Sequence, residues 1–279
     1  MPDTAELYGT LSRQAYAELS GINWSILKHC IDHPSKALQA IKNPKEPTSR
    51  MVLGTAVHCA VLEGLSMYYK RFSVAPNVDR RTKDGKEKWK AFEALSEKKT
   101  VITADDSRTV RSVASAVSGH PACLDLLKNG TPEAAVRWEM CEGLWGKGII
   151  DWLPDGEGPL VDLKTTRDAS PSGFARQIAN YYYHGQAEYY RRAIATLRGE
   201  PPRDFVIIAV EVEPPYCIGV YRLNNEALEA GSRMVDMAID RWLAASRGDN
   251  GYDAHYTDYI EDLGIPTWAL SYETANVVA

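Results

Sequence analysis

Gly148-Ile149-Ile150-Asp151-Trp152 is the first of two stretches that decide the fold of this chain, and the second is Val161-Asp162-Leu163-Lys164-Thr165-Thr166. Both are rich in β-branched residues and have apolar residues beside their charged ones, and turn-forming residues at 154–158 lie between them. They predict neighbouring strands of a meander that brings Asp151 and Asp162 together. Because side chains alternate along a strand, we expect Asp162 and Lys164 on one face and Leu163 in the core.

Helices are predicted on both sides of this meander. Apolar residues recur at helical spacing in residues 11–41, 50–65, 104–128, 172–197 and 225–246. Strand patterns and turn signals occur at residues 133–141, 144–153, 159–163, 205–212 and 217–223. The polar segment 76–100 is expected to be a loop that leads into a helix. Together these patterns predict an α/β protein with a central mixed β-sheet flanked by helices.

A single domain is expected to span residues 1–279, because the sequence contains no internal repeat and no convincing linker. Its mainly helical N-terminal part would cover 1–130, and the catalytic sheet with the helix after it 131–223. A C-terminal helix and tail would cover 224–279. Hydrophobic residues make up 44% of the chain, which is the usual share for a globular protein with a core.

Composition argues against several classes of protein. No segment approaches the roughly 20 apolar residues that span a bilayer, and residues 1–10 lack a secretory signal pattern, so we expect a cytoplasmic protein without membrane contact. The five cysteines are scattered without a CxxC pair or a C-terminal cluster, which disfavours zinc fingers and an iron–sulfur cluster. The formal net charge of -5 does not decide about DNA, since phosphate binding depends on local patches.

The residues Asp151, Asp162 and Lys164 together suit metal-assisted cleavage of a phosphodiester. Carboxylates hold Mg²⁺ or Mn²⁺ through hard oxygen ligands, and the metal polarises the phosphate and lowers the pKa of a bound water. A lysine ammonium can orient that water or stabilise the negative charge that develops. Asp-x-Lys is a common sequence, however, and a surface salt bridge on a hairpin is the alternative.

The order of these motifs resembles the RecB-like PD-(D/E)xK nuclease superfamily, and within it the RecE-like and lambda-exonuclease-type members. The downstream motifs are GIID at 148–151, VDLKTT at 161–166, and a helix that holds Gln186 and Tyr190. Upstream, residues 54–58 (GTAVH), followed by Leu62-Glu63, are similar to the helix that supplies a further metal ligand in this family. The resemblance covers roughly residues 54–192 and implies a restriction-endonuclease-like core.

The resemblance implies a metal site and a catalytic lysine. His58, Asp151 and Asp162 would bind the metal, with help from the Leu163 carbonyl, and Lys164 would be the catalytic lysine. A neutral imidazole is a good metal ligand. Without its neighbours, a single histidine on a partly apolar helix would more often be structural.

Three more residues are implied at the active site. Gln186 and Tyr190 form the Q-x-x-x-Y helix, which in this family lies beside the active site and touches the DNA strand; an ordinary amphipathic helix surface is the alternative. Glu133, on the strand before the first metal aspartate, is the third residue, and Glu139 competes with it for that role.

DNA-backbone contacts are predicted next to the catalytic lysine and in the polar segment. Thr165, Thr166 and Arg167 offer hydroxyls and a guanidinium directly after Lys164, although a capping role would also explain the threonines. The basic residues of the polar segment that we expect to contact DNA are Arg80, Arg81 and Lys83. A solvated charged face is the alternative there.

A 5′-phosphate contact is predicted near the N-terminus. Residues 21–25 resemble the segment whose serine helps to bind the 5′ phosphate in lambda exonuclease, so Ser25 is the candidate here. Glu18 stands where the family has a partnering arginine, and a carboxylate would repel a phosphate. Lys28 could substitute for that arginine, or Ser25 could be only a helix cap.

The resemblance implies a metal-dependent double-strand DNA exonuclease that works 5′-to-3′ and processively, with Mg²⁺ as cofactor and Mn²⁺ able to substitute. Its product would be a 3′ single-stranded overhang for single-strand-annealing recombination, as in phages or prophages. The expected partners are linear double-stranded DNA, a single-strand annealing protein, and further copies of the chain in a trimeric or tetrameric ring. The alternatives are a single-strand or structure-selective endonuclease, or an inactive DNA-binding relative.

Overall fold

The computed structural model describes residues 4–141, 143–248, 253–257 and 259–266. Its strands are β1 (Ala5–Thr10), β2 (Phe72–Val74), β3 (Thr100–Ile102), β4 (Gly130–Cys141), β5 (Leu144–Pro154), β6 (Leu160–Thr166), β7 (Phe205–Glu211) and β8 (Ile218–Arg222). Its α-helices are α1 (Arg13–Glu18), α2 (Trp24–Leu27), α3 (Pro34–Lys42), α4 (Ser49–His58), α5 (Leu65–Arg71), α6 (Lys83–Ser96), α7 (Ala104–Gly119), α8 (Pro121–Leu126), α9 (Pro171–Asn180), α10 (Tyr183–Arg198) and α11 (Asn225–Arg247). A 3₁₀ turn covers Lys28–Ile31 and a π-helical turn covers Cys59–Glu63.

Six strands form the central sheet, in the order β1-β4-β5-β6-β7-β8. β6 and β7 are parallel, and the other neighbouring pairs are antiparallel. The parallel pair follows from the sequence, because α9 and α10 lie between these strands and carry the chain back across the sheet. A mixed sheet flanked by helices is the predicted fold class, which the structure confirms.

Both faces of this sheet are buried, and β7 shows the division most clearly. Ile207 and Ala209 belong to a core that also contains residues of α10 and α11. Ile208 and Val210 belong to a second core, which contains residues of α4, α7 and the π-helical turn. Strand β7 is buried on both faces and is therefore apolar throughout rather than alternating. The metal-ligand candidates of β5 and β6 lie between these two helical layers.

Several elements differ from the sequence prediction. β1 and the small parallel pair of β2 and β3 were not predicted. The helix predicted at 104–128 ends at Gly119, because Pro121 cannot donate a backbone hydrogen bond and starts α8 instead. The helix predicted at 172–197 divides at Tyr182, whose φ of 60° lies in the left-handed region. Within the described residues, every helix is too short or too polar to cross a bilayer.

Candidate active site

The first part of the site is the contact between β5 and β6. The two strands pair at Trp152 and Val161. Beyond that pair, the Leu163 backbone N–H donates a 2.7 Å hydrogen bond to Oδ2 of Asp151. This bond fixes the Asp151 carboxylate against β6. Leu163 itself is fully buried, as predicted from strand alternation, and its carbonyl as a metal ligand stays a prediction.

Glu133 stands opposite Asp151 on β4 in an uncommon backbone conformation. The ladder between β4 and β5 pairs Pro132 with Trp152 and Ala134 with Ile150, so Glu133 falls at the position facing Asp151. Its φ is 50°, in a region that costs a non-glycine residue about 1–3 kcal/mol. Such outliers cluster at functional sites, where the surrounding structure maintains them.

His58 is the last residue of α4 and completes a three-residue cluster. Its Nδ1 lies 3.6 Å from Oε1 of Glu133 and 3.6 Å from Oδ2 of Asp151. Burial alone would lower the pKa of His58, but the charge of Asp151 and a hydrogen bond with Glu133 raise it to about 9. The π-helical turn begins directly after His58, and single π turns are frequent at functional sites.

Asp162 and Lys164 form a buried pair beside this cluster. Nζ of Lys164 lies 2.5 Å from Oδ2 of Asp162, and the two side chains are 15% and 3% exposed. The predicted placement of both on one face of β6 is therefore confirmed. Burial raises the pKa of Asp162 to about 6, against the opposing charge of Lys164. Burial lowers the pKa of Lys164, but Asp162 outweighs this and raises it, so the amine stays charged.

The donor set fits a divalent cation. Ligand atoms of His58, Glu133 and Asp151 all lie within 4.8 Å of one another. Two ligands of one Mg²⁺ at its usual 2.0–2.1 Å are about 3–4 Å apart, so the 3.6 Å separations match. Oδ2 of Asp162 is buried without a hydrogen-bond partner, although Lys164 lies close to it as an ion pair. Carboxylates and one imidazole suit Mg²⁺ or Mn²⁺.

The Q-x-x-x-Y helix packs against this site. Nε2 of Gln186 donates a 3.1 Å hydrogen bond to Oδ1 of Asp162, and Gln186 also hydrogen-bonds to Tyr190. Tyr190 is 9% exposed and packs on β5, where a Cβ added at Gly148 would lie 2.4 Å from its ring. Gln186 therefore reaches the site directly, whereas Tyr190 supports it from the core. A role for Tyr190 in touching DNA stays a prediction.

Glu139, the competitor of Glu133, lies away from this cluster. It is near the other end of β4, where its carboxylate accepts a hydrogen bond from the Gly143 backbone N–H. Of the two glutamates, the structure brings Glu133 to His58.

The predicted DNA contacts next to the lysine differ from one another. Thr166 is 5% exposed, and its hydroxyl bonds to the backbone of Asp168 and the side chain of Gln177. This is the structural alternative for Thr166 rather than a phosphate contact. Thr165 faces α4, since a Cβ added at Gly54 would lie 3.5 Å from its hydroxyl oxygen. Arg167 is exposed.

Ser25 and Lys28 lie on the same short helical stretch. Ser25 is exposed and donates a 2.7 Å hydrogen bond to Oδ1 of Asn23. The N-cap of α2 is Asn23, not Ser25, which corrects the capping alternative. Lys28 is partly buried, and burial and then the charge of Lys164 lower its pKa. The amines of Lys28 and Lys164 therefore lie close enough for electrostatic repulsion between them.

The basic residues of the polar segment interact within that segment. The Arg80 guanidinium lies 4.2 Å from the Trp89 ring centroid. Arg81 pairs with Asp79 at 2.9 Å and is 91% exposed. Lys83 is the first residue of α6. In the described part of the chain, none of the three contacts the metal cluster, so their DNA contact stays a prediction.

Sequence reasoning missed Arg71 as a neighbour of the site. Its guanidinium forms a two-pronged ion pair with Glu63, the last residue of the π-helical turn and only 7% exposed. Glu133 is among the charges that raise the pKa of Arg71. The resemblance indicated Leu62-Glu63, but the partner on α5 has no motif in the sequence.

A restriction-endonuclease-like mixed sheet that gathers one histidine, three carboxylates and one lysine defines the PD-(D/E)xK class of folds. The chain belongs to the family described as "PDDEXK-like domain of unknown function (DUF3799)", whose sequence profile matches residues 23–259. This membership is consistent with the resemblance to RecB-like PD-(D/E)xK nucleases.

A solved structure with the same fold comes from Eubacterium rectale and carries the provisional name of an exonuclease. It is 14% identical, with a TM-score of 0.63 over 95% of this chain and 99% of that one. At this identity the likeness concerns the fold alone. Among curated proteins, none matches this sequence significantly.

Proposed function

We propose that this chain is a divalent-metal-dependent exonuclease that degrades linear double-stranded DNA. The observation that carries the proposal is the convergence of His58, Glu133 and Asp151 beside the buried pair of Asp162 and Lys164. A buried lysine that stays charged next to a metal-ligand cluster is the arrangement that phosphodiester hydrolysis needs. Membership of the PDDEXK-like family supports a nuclease in general.

Each side chain has a distinct task in the proposed reaction. The three-residue cluster and Asp162 would hold the cation, which when bound supplies Lewis acidity toward the phosphate and acidifies water. Hydrolysis joins a water oxygen to phosphorus and breaks the bond from phosphorus to a sugar oxygen. One water proton goes to that sugar oxygen, and the other stays on the new phosphate or passes to solvent. The Lys164 ammonium stabilises the negative charge that develops on the phosphate. Gln186 orients Asp162 through its 3.1 Å hydrogen bond.

The finer properties are proposals that rest on the resemblance to RecE-like nucleases. We infer 5′-to-3′ polarity, 3′ single-stranded products for annealing recombination, and Mg²⁺ as the cofactor, with Mn²⁺ as a substitute. Processive digestion would follow from a ring of three or four copies that encloses the duplex, with a single-strand annealing protein as partner. Residues 1–279 would act as one nuclease domain.

The test uses a 5′-phosphorylated linear duplex that is labelled at one end, incubated with Mg²⁺ or Mn²⁺. We expect the parent protein to release nucleotides, and Asp162→Asn and Lys164→Met to lose activity by at least about 100-fold. Asp125→Asn and Lys128→Met are matched controls, because they alter an exposed pair with a 2.9 Å contact on α8 and just after it. These controls should digest DNA like the parent.

Two results would contradict the proposal. Digestion by both site variants at the parental rate would remove the active-site assignment. Cutting of closed circular DNA by the parent would make the protein an endonuclease. Moving the label from the 5′ to the 3′ end of the digested strand determines polarity in the same experiment.

A further inference from the structure

Four aromatic rings lead from the protein core to the surface beside the candidate active site. Tyr221 stacks on Phe174 with centroids 5.7 Å apart and planes 19° apart. Phe174 lies 6.2 Å from Tyr183 at 32°, and Tyr183 lies 5.6 Å from Tyr181 at 30°. Phe174 is 1% exposed, whereas Tyr181, at the outer end, is 54% exposed. The series therefore ends in a ring that contacts one aromatic neighbour and is about half exposed to solvent.

The third ring of this series, Tyr183, lies next to the catalytic lysine candidate. Nζ of Lys164 is 5.0 Å from the centroid of the Tyr183 ring. The charges of Lys164 and Asp162 also act on the Tyr183 hydroxyl, so Tyr183 borders the buried ion pair. One ring-to-ring step of 5.6 Å then separates Tyr183 from Tyr181. Tyr181 is thus at most about three base-stacking rises of ~3.4 Å from the lysine.

A break between two helices brings the rings of Tyr181 and Tyr183 next to each other. α9 ends at Asn180 and α10 begins at Tyr183, and Tyr182 between them has a φ of 60°. A non-glycine residue in this conformation costs free energy that a longer, continuous helix would avoid. In a continuous helix, residues 181 and 183 would point in different directions. The break instead lets the two rings lie 5.6 Å apart.

An exposed aromatic ring beside a phosphodiester-cleaving site suits an unpaired base. Every nucleobase has a π-face, and stacking on a protein aromatic ring contributes binding without requiring a particular sequence. The part of the chain that the structure describes places Tyr183 against Tyr181 and no second ring on its other side. A base could occupy that side and extend the series by one ring.

We propose that Tyr181 is the stacking platform for an unpaired nucleobase of the strand that is cut, within about three nucleotides of the scissile phosphate. The proposal rests on the proposed nuclease function, because it needs the phosphate at Lys164. It adds a substrate requirement, since a base can stack on Tyr181 only when it has left the duplex. The bound strand is therefore unpaired at its end before cleavage.

The first test is a double-perturbation cycle that combines a substitution of Tyr181 with the removal of one base from the substrate. Substrates carry an abasic site at each of the three nucleotides nearest the digested end, and kcat/KM is measured for the parent, Tyr181→Ala and Tyr181→Phe. On intact DNA, Tyr181→Ala should lose about 5- to 150-fold, the equivalent of one base stacked on one ring. Tyr181→Phe should keep parental activity. At one abasic position the alanine effect should disappear.

Tyr69→Ala is the matched control, because Tyr69 is 49% exposed and also rests on one ring, that of Tyr68, at 5.0 Å. It should leave kcat/KM unchanged on all substrates. An alanine effect at Tyr181 that is the same with and without each of the three bases overturns the proposal, as does the absence of any effect.

The second test separates this proposal from the nuclease function. The fluorescent base 2-aminopurine replaces each of the three bases, and Ca²⁺ replaces the reactive metal, so that binding is read without hydrolysis. Parent and Tyr181→Phe should quench the emission of one position at saturation, while Tyr181→Ala should leave it bright. Equal emission with parent and Tyr181→Ala overturns the stacking platform, whatever the hydrolysis assay shows.

Discussion

Oδ2 of Asp151 lies 3.6 Å from Nδ1 of His58 while it accepts a 2.7 Å hydrogen bond from the backbone of Leu163. One carboxylate thus joins α4, β5 and β6 at a single point. Because Oε1 of Glu133 also lies 3.6 Å from this Nδ1, the two carboxylates outweigh the effect of burial and raise the pKa of His58 to about 9, so His58 without a metal is protonated. A metal ion and a proton therefore compete for the same ring nitrogen.

Metal binding should release this proton. Between pH 7 and 9 we expect the Kd for Mn²⁺ to fall, by up to about tenfold per pH unit, because each ion displaces one proton from His58. Calorimetry in two buffers with different ionisation enthalpies measures the released proton. His58→Gln should bind Mn²⁺ more weakly and without proton release above pH 7. A parental Kd that is the same at pH 7 and pH 9 would count against His58 as a ligand.

Stability of the metal-free protein should depend on pH in the same window. The folded pKa of His58 is raised above its ordinary 6.5, so its proton stabilises the fold fully below pH 6.5, and this contribution is lost as the pH rises through about 9. Burial raises the folded pKa of Asp162 to about 6, so the stability that its proton contributes is lost as the pH rises through about 6. Above pH 7 the effect of Asp162 on stability no longer changes with pH. We expect the Tm to fall between pH 7 and 9.5. In His58→Gln, the Tm should change less over this range.

Local sequence patterns predicted the parts of the site that depend on local geometry. Period-two alternation alone placed Asp162 and Lys164 on one face with Leu163 in the core, because alternation is fixed by the strand backbone. The turn signals at 154–158 predicted that β5 and β6 are neighbours, which brings Asp151 close to Asp162. The upstream histidine could be connected to these residues only through a family resemblance, since no local rule links a helix to a distant strand.

What the sequence did not reveal depends on tertiary contacts. Position 133 has a left-handed backbone but holds a glutamate rather than the glycine or asparagine that would predict it, and its neighbour His58 lies far away in the sequence. The helix break at 181–182 contains neither proline nor glycine, so the periodicity ran through it. Arg71 lies on a separate helix from Glu63, and ion pairs of this kind leave no spacing signal.

Gln186 should affect catalysis more than stability. Gln186→Met keeps the length of the side chain but removes the donor to Oδ1 of Asp162. Hydrogen bonds to charged groups contribute about 1.5–3 kcal/mol, so we expect kcat to fall by roughly 10- to 150-fold. Gln177→Met is the matched control, because the Gln177 amide bonds to Thr166 instead of to an acidic group of the cluster. If the two variants lose activity equally, Gln186 has no special role.

The ion pair of Arg71 and Glu63 should stabilise the π-helical turn that follows His58. Arg71→Gln leaves a carboxylate that is 7% exposed without its partner, and we expect a loss of about 2 kcal/mol, discounted because Arg71 is 44% exposed. The double variant Glu63→Gln, Arg71→Gln should recover most of this loss. Denaturant unfolding of the four proteins gives the coupling free energy. If the free-energy losses of the two single variants add up to that of the double variant, Arg71 and Glu63 are not coupled.

Gly54 and Gly148 should respond in opposite ways to alanine. A Cβ at Gly54, inside α4, would meet only the Thr165 hydroxyl at 3.5 Å, an ordinary contact, and alanine is the better helix former by about 0.5–1 kcal/mol. Gly54→Ala should therefore raise the Tm by about 1–4 °C. If DNA needs the bare backbone at Gly54, this variant keeps its stability but loses activity.

At Gly148, on β5, the added Cβ would lie 2.4 Å from Cε1 of Tyr190, a ring that is 9% exposed and packed beside Gln186. Because Tyr190 cannot move without displacing α10 from the sheet, Gly148→Ala should lose about 1–3 kcal/mol. Tyr190→Leu in the same chain removes the ring and should recover part of that stability but not the activity, since the hydrogen bond between Gln186 and the Tyr190 hydroxyl is lost. Thermal unfolding and nuclease assays on the three variants measure both effects. A Gly148→Ala protein as stable as the parent would mean that the packing of Tyr190 on β5 is looser than the structure has it.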